Sequence, residues 1–131
     1  MSALEQIHPN DIHRVWDEIC IGLDEVRKHG ATWRNEDVYH AIKSGCSFLF
    51  VTDGGFVVLT PQQDYDGSQL FVWACYAHME EDPIAKYLPD LIEIGRGFNA
   101  KRIVFGSLRK WERRLAPMGF RPLTTYYGLD L

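Results

Sequence analysis

The chain lacks any apolar run that approaches the ~20 residues needed to span a membrane. It also lacks an excess of positive charge, because its 14 Lys and Arg residues are outnumbered by 18 Asp and Glu residues. Non-specific nucleic-acid binding depends on clustered basic residues, so this balance argues against a nucleic-acid partner. The first eleven residues have neither the basic nor the apolar region of a signal peptide. We therefore expect a cytoplasmic protein with no membrane segment.

Cysteine is scarce and histidine is scattered. The three cysteines, Cys20, Cys46 and Cys75, are widely spaced and lie in apolar surroundings. This usage is typical of reduced, buried thiols in a cytoplasmic protein. None of the five histidines forms an i, i+4 pair with a third ligand, which is the pattern of a zinc site. The sequence therefore predicts no metal centre.

Two helices are predicted in the first third of the chain. Asn10 is a suitable N-cap for the first helix, and Gly30 is a suitable stop. Asn35 is predicted to cap a second, shorter helix that Gly45 closes. The first helix presents one continuous apolar face, formed by Ile12, Val15, Trp16, Ile19, Cys20, Leu23 and Val26.

Strands are predicted on both sides of a glycine turn. Residues 3–8 have the pattern of a short edge strand. The apolar segments Cys46–Thr52 and Phe56–Thr60 predict a hairpin whose turn is Asp53–Gly55. Pro61 is expected to end the second strand, because proline cannot donate to a strand ladder. The polar residues after it are then expected to form a loop.

A strand, a helix and a second strand form the centre of the predicted fold. Leu70–Tyr76 and Ile103–Phe105 are apolar, as in strands that are covered on both faces. Asp82 is placed to cap the intervening helix with Pro83 at its first position. Pro89 predicts a kink or a late helix start. The helix face comprises Ile84, Tyr87, Leu88, Leu91, Ile92 and Phe98. A crossover of this length predicts parallel strands.

The last part of the chain predicts a helix and a strand. Arg109–Met118 has helical spacing and stops at Gly119, and Arg121–Leu131 reads as a terminal strand. The element order is (β)ααβββαβαβ, in a single α/β domain that spans residues 1–131. Open α/β sheets bind ligands at the carboxyl ends of parallel strands, so a site is expected near Cys75–Asp82 and Gly106–Arg109.

This order resembles the GNAT superfamily of N-acetyltransferases. The segments that carry the resemblance are Asn10–Ile12, Gly55–Val58, Arg102–Phe105 and Trp111–Phe120. They are most similar to short GNAT-like proteins of phages and prophages. The resemblance implies a mixed, mostly antiparallel sheet with a splayed parallel strand pair that holds acetyl-CoA.

Two positions depart from the family pattern. GNAT enzymes usually carry Arg/Gln-x-x-Gly-x-Gly/Ala between the fourth strand and its helix, where backbone N–H groups approach the CoA pyrophosphate. Here His78–Pro83 contains no glycine and has three carboxylates, those of Glu80, Glu81 and Asp82. The tyrosine that many members use as a general acid is replaced by Leu115.

The resemblance also implies positions for the cofactor and for catalysis. The residues that would hold CoA are Trp73, Cys75, Ala77, Arg109 and Arg113. The weak catalytic candidates are His78, Glu81, Ser107 and Tyr126. Each set also has a purely structural interpretation. His78 and Glu81 are equally suited to a solvated loop and helix cap, and Ser107 is equally suited to be an N-cap. Tyr126 is equally suited to packing in a strand, and Arg109 and Arg113 to a solvated helix face.

Two functions remain open. The first is a non-catalytic interaction protein with a degenerate acetyl-CoA site, which the acidic loop favours. The second is an acetyl-CoA-dependent N-acyltransferase with an atypical cofactor loop, acting on an unidentified amine. The partner is accordingly an unknown protein or a small amine. Apolar side chains on the terminal strand are compatible with a homodimer.

Overall fold

A five-stranded sheet forms the centre of the structure, a computed structural model that describes residues 4–28, 30–65, 67–78, 82–106, 112–124 and 127–131. Its strands follow one another in chain order, and only the last two are parallel. They are β1 (Glu5–Ile7), β2 (Phe48–Thr52), β3 (Gly55–Asp64), β4 (Gly67–Ala77) and β5 (Arg102–Val104). The predicted mixed, mostly antiparallel sheet is confirmed.

Helices cover both faces of this sheet. A 3₁₀ helix, Pro9–Arg14, leads into α1 (Trp16–Arg27), and α2 is Asn35–Lys43; α3 is Pro83–Gly97, and α4 (Glu112–Leu115) continues as a 3₁₀ turn, Ala116–Met118. Within the described ranges, no helix combines the length and apolar character that crossing a bilayer requires.

The two predicted N-caps are each displaced by one or two residues. The backbone N–H of Asn10 donates to Nδ1 of His8 at 3.0 Å, so His8 is the cap and Asn10 lies within the 3₁₀ helix. Pro9 fixes a helical φ at the first position and so moves the start forward. In α2 the cap is Arg34, whose backbone N–H donates to Asp37 at 2.8 Å.

The glycine stops are confirmed by left-handed backbone conformations. Gly30 has φ +104° and Gly45 has φ +84°, values that residues other than glycine rarely adopt. Gly119, after the short helix near the end of the chain, has φ +92°. These three positions therefore end helices as the sequence predicts.

The prediction that Pro61 ends a strand is wrong, and so is the predicted polar loop after it. β3 continues to Asp64, and Pro61 lies opposite Leu70 of β4. The ladder with β2 stops where Phe48 pairs with Leu59, so β3 has β4 as its only strand neighbour at Pro61 among the described residues. Proline is tolerated at such an edge because no ladder hydrogen bond is lost on that side.

The core lies in two layers, one on each face of the sheet. The α3 side contains Leu59, Leu70, Val72, Ile84, Tyr87 and Leu91, and the α1–α2 side contains Ile12, Ile19, Leu23, Val38, Ile42 and Val58. Ile19 is buried as predicted. Trp16, predicted on the same apolar face, is only partly buried, and its ring packs against Tyr39 of α2 with ring centroids 5.0 Å apart.

α3 starts at the predicted position and continues through its internal proline. Asp82 is the N-cap and Pro83 is the first helical residue, so a late start at Pro89 is excluded. Tyr87 and Leu91 are buried on either side of Pro89. Their packing against the sheet offsets the hydrogen bond that proline cannot make.

The terminal strand is the largest difference from the sequence prediction. Residues 121–124 and 127–131 belong to no strand and are exposed, whereas Tyr126 lies outside the described residues. Tyr127 is 93% exposed. The prediction is wrong for the described residues, because the three-residue β5 offers only a short ladder and these side chains find no apolar surface. Only residues 112–118 of the predicted last helix are described, and they are helical.

Candidate functional site

The parallel strands separate towards their carboxyl ends. β4 and β5 pair from Gln69 opposite Arg102 to Phe71 opposite Val104, where β5 ends, and β4 then continues to Ala77 paired with β3 only. This arrangement is the predicted splayed pair. It leaves one edge of β4, residues 72–77, without a strand neighbour in the described part of the chain. We call this opening the fork.

A β-bulge lies where the fork begins. Val58 pairs with Ala74 and Leu59 with Val72, so Trp73 is the additional residue on β4. A bulge bends its strand and increases the local twist, which helps β4 to turn away from β5. The ring of Trp73 packs against Trp33 on the α1–α2 side, with ring centroids 5.9 Å apart. Trp73 can therefore contribute backbone groups to the α3 side of the fork, but not its ring.

Cys75 and Ala77 pack on the α3 side of the sheet. Burial raises the pKa of the Cys75 thiol to about 12, and the negative charge of Asp82 acts in the same direction. The thiol therefore stays protonated at neutral pH and is a poor nucleophile. Any contribution of these two residues to a ligand comes from their backbone groups, as the family resemblance implies.

The amino-terminal end of α3 is filled by a carboxylate of the same chain. Oδ1 of Asp82 accepts hydrogen bonds from the backbone N–H groups of Ile84 at 3.1 Å and Ala85 at 3.4 Å. Nη2 of Arg114, from α4, donates to the same oxygen at 2.7 Å. Pro83 has no N–H to offer. An external anion would have to displace Asp82, so these residues do not fit a pyrophosphate in the arrangement seen here.

Arg114 was not among the sequence candidates, although its neighbour Arg113 was. Both belong to the basic residues at 109–114, and the sequence does not tell which of these side chains faces α3. In the structure Arg113 is exposed, and Arg114 reaches Asp82. The two arginines therefore differ in their contact with Asp82 because of their positions in the helix, not because of their residue type.

His78 lies on the opposite side of the sheet from Cys75 and Ala77. Its backbone N–H donates to the carbonyl of Gly54 at 2.7 Å, and its Nδ1 is 3.1 Å from the hydroxyl of Tyr76. These contacts hold His78 beside the β2–β3 turn and beside Tyr76, which packs on the α1–α2 side of the sheet, away from the fork.

A cleft of about 400 Å³ lies beside His78. We call it the hairpin cleft; the lining residues that determine its chemistry are Glu5, Glu18, Asp53, Phe56, Tyr76 and His78. Three carboxylates from β1, α1 and the β2–β3 turn give it a negative character, which suits a cationic group. These carboxylates cannot be grouped from the sequence, because they come from separate segments that only the folded topology brings together.

The remaining candidates keep the status of predictions. Glu81, Ser107, Arg109 and Tyr126 lie outside the described residues. In the part of the chain that is described, no group of three or more His, Cys, Asp or Glu side chains is arranged to hold a metal ion.

Known structures share this fold across the whole chain. No protein-family model and no curated protein matches the sequence. A probable acetyltransferase superimposes with a TM-score of 0.68 at 13% identity, covering 98% of this chain and 97% of that one. A ribosomal-protein-alanine N-acetyltransferase from Brucella melitensis biovar Abortus 2308 gives 0.67 at 18%, with the same coverage.

A GNAT family acetyltransferase from Staphylococcus aureus subsp. aureus USA300_TCH1516 gives a TM-score of 0.66 at 16% identity, covering 100% of both chains. These similarities show that the chain has the GNAT acetyltransferase fold. At such identities they show the fold alone.

Proposed function

We propose that this protein is a GNAT-fold interaction protein whose acetyl-CoA site is degenerate and which is not a catalyst. The observation that carries the proposal is the carboxylate of Asp82 at the amino-terminal end of α3. It occupies the N–H groups of Ile84 and Ala85, and Arg114 binds the same oxygen. The family resemblance implies that the pyrophosphate would lie at this end of the helix.

Leu115 supports the same proposal. Its side chain packs against the α3-side core, at the position where many family members carry a tyrosine. A leucine side chain can neither donate nor accept a proton. The position therefore lacks the general acid that the family resemblance implies.

The source and partner are part of this proposal. The resemblance of the sequence segments supports a phage or prophage origin, and the cysteine usage supports a cytoplasmic location; a protein partner follows from the role proposed here.

The fork and the hairpin cleft favour one alternative, an N-acyltransferase with an atypical cofactor loop. The bulge at Trp73 and the open edge of β4 leave backbone groups accessible at the fork. The carboxylates of Glu5, Glu18 and Asp53 provide a negative surface for an amine on the other side of β4. In this alternative, Asp82 would have to leave the end of α3 before Arg114 could bind a phosphate.

Thermal unfolding with and without acetyl-CoA tests the choice. A ligand present at a hundredfold its dissociation constant stabilises the folded state by about 2.7 kcal/mol. We expect no change in Tm for the wild type. Asp82→Ser keeps a capping hydroxyl but removes the charge, and Glu93→Ser in the exposed part of α3 is its matched control.

The outcomes separate the two functions. No stabilisation of any of the three proteins supports the interaction protein. Stabilisation of Asp82→Ser alone supports a cofactor site that Asp82 blocks. A clear rise in Tm for the wild type overturns the proposal. Replacing Glu80 and Glu81 with glycine extends the test, because removing these charges increases CoA affinity only if the fork is a cofactor site.

A further inference from the structure

The 3₁₀ helix, α1 and α2 meet around a groove of about 490 Å³. We call it the helix groove, and its lining residues are His13, Trp16, Asp17, Glu36, Tyr39 and His40. It shares no described residue with the hairpin cleft. The helix groove is therefore a separate surface on the α1–α2 side of the protein.

Two aromatic rings form a corner in the helix groove. The ring centroids of Trp16 and Tyr39 are 5.0 Å apart, and the ring planes are inclined at 71°. Both side chains pack against the α1–α2-side core, which holds the rings in place, and both remain partly exposed. The faces of tryptophan and tyrosine rings attract cations. The corner therefore offers two preorganised aromatic walls to a positively charged group.

Two carboxylates lie beside this corner. Asp17 directly follows Trp16 in α1, and Glu36 lies three residues before Tyr39 in α2, a spacing that brings side chains together on one helix face. Nε of Arg34 is 3.8 Å from Oε2 of Glu36, but this ion pair is exposed and therefore weak. Both carboxylates are exposed and line the groove, so its charge complements a cation.

Arginine is the side chain that fits this combination best. Its guanidinium group is planar, stacks on aromatic faces and donates several N–H groups to carboxylates, whereas the ammonium group of lysine is compact and strongly hydrated. Small-molecule sites enclose about 70–90% of their ligand. The helix groove is bordered by the exposed side chains of Asp17 and Glu36, which instead suits one side chain that projects from a larger molecule.

We propose that the helix groove binds an arginine side chain of a partner protein. The guanidinium group stacks in the corner of Trp16 and Tyr39, and Asp17 and Glu36 accept its N–H groups. This inference rests on the proposed function for the identity of the partner as a protein. It does not depend on acetyl-CoA, because the fork lies on the α3 side of the sheet, so the thermal test with acetyl-CoA and a test of arginine binding succeed or fail separately.

An amide NMR titration with N-acetylarginine methylamide tests the proposal. N-acetylcitrulline methylamide is the matched control ligand, because it has the same shape and no charge. We expect shift changes centred on Trp16, Asp17, Glu36 and Tyr39, and about tenfold weaker binding of the citrulline compound, since both the aromatic and the carboxylate contacts need the charge. Free arginine is expected to bind no more tightly than the blocked compound.

Two protein variants locate the binding. Glu36→Gln removes one charge from the groove, and Glu93→Gln removes the same charge from an exposed position in α3. Neither residue is buried, so both variants are expected to fold. We expect roughly twofold to fivefold weaker binding for Glu36→Gln and unchanged binding for Glu93→Gln.

Four results would overturn the proposal. The first is the absence of shift changes at the helix groove, and the second is equal binding of the arginine and citrulline compounds. The third is an equal loss of affinity in Glu36→Gln and Glu93→Gln, because the effect would then follow net charge rather than the groove. The fourth is tighter binding of free arginine than of the blocked compound, which would indicate an amino acid site and not a protein contact.

Discussion

Gly22 allows α1 to lie close to the sheet, and its replacement by alanine is expected to destabilise the protein. A β-carbon at this position would collide with the ring of Phe56 and would come within 2.8 Å of Cδ2 of Tyr76. Phe56 is only 3% exposed, so its ring has little room to move. Both rings also line the hairpin cleft, so the close approach of α1 shapes that cleft.

Two opposing effects determine the magnitude. Alanine in place of glycine within a helix normally stabilises by about 1 kcal/mol. Insertion of an extra carbon into a packed core costs about 1–3 kcal/mol, and contacts with two rings place Gly22→Ala at the upper end. We expect a net loss of about 1–2 kcal/mol in the free energy of unfolding, which lowers Tm by roughly 4–8 °C.

Urea unfolding followed by tryptophan fluorescence measures this loss, with Gly97→Ala as the matched control. Gly97 is the last residue of α3, and a β-carbon there meets nothing within 4 Å. The control is expected to gain roughly 0.5–1 kcal/mol. If Gly22→Ala is as stable as Gly97→Ala, α1 does not lie in close contact with the rings of Phe56 and Tyr76.

Three further predictions follow from burial and capping. Ile19→Ala is expected to cost about 2–5 kcal/mol in urea unfolding and Trp16→Ala clearly less, because Trp16 is partly exposed; equal losses would contradict this difference. The expectation of buried thiols is wrong for Cys46, which is exposed, whereas Cys75 is partly buried. Iodoacetamide is therefore expected to label Cys46 much faster than Cys75; similar rates would contradict the shielding of the Cys75 thiol. Asp82→Ala is expected to lose about 0.5–2 kcal/mol, and an unchanged stability would show that α3 does not need this cap.

Cys75 also makes stability depend on pH. Its pKa is raised from 9.0 to about 12 in the folded protein, so unfolding restores the ordinary value. The contribution of the protonated thiol is complete below about pH 9 and declines as the pH rises towards 12. The loss of stability in this range is therefore expected to be smaller in Cys75→Ala than in the wild type.

The central unit was predictable because several local preferences agree. Asp82 and Pro83 favour a helix start, and apolar residues recur at helical spacing from Ile84 to Leu91. The strands on either side are apolar, and a connection of this length is long enough for the crossover that parallel pairing requires. Local pattern and chain connectivity therefore determine this part of the fold together.

Other features depend on neighbours that the sequence does not display. Pro61 ends a strand only where its missing N–H would face a partner, and β2 stops before it. The ring nitrogen of His8 competes with Asn10 for the role of cap, and Pro9 favours His8. Glu5, Glu18 and Asp53 converge on one cleft because β1 joins the sheet beside β2 and α1 lies across it.

Asp82 shows how the structure changes a conclusion drawn from charge alone. In the sequence it is one of three carboxylates that repel an anion. In the structure Arg114 lies 2.7 Å from its Oδ1, so much of its charge is compensated, and the obstacle is its occupation of the helix N–H groups. Displacing such a cap costs about 0.5–2 kcal/mol, which lowers ligand affinity by roughly twofold to thirtyfold. A penalty of this size weakens a cofactor site but does not abolish it, so a loss of acetyl-CoA binding beyond about thirtyfold needs further causes, among them the missing glycines and the charges of Glu80 and Glu81.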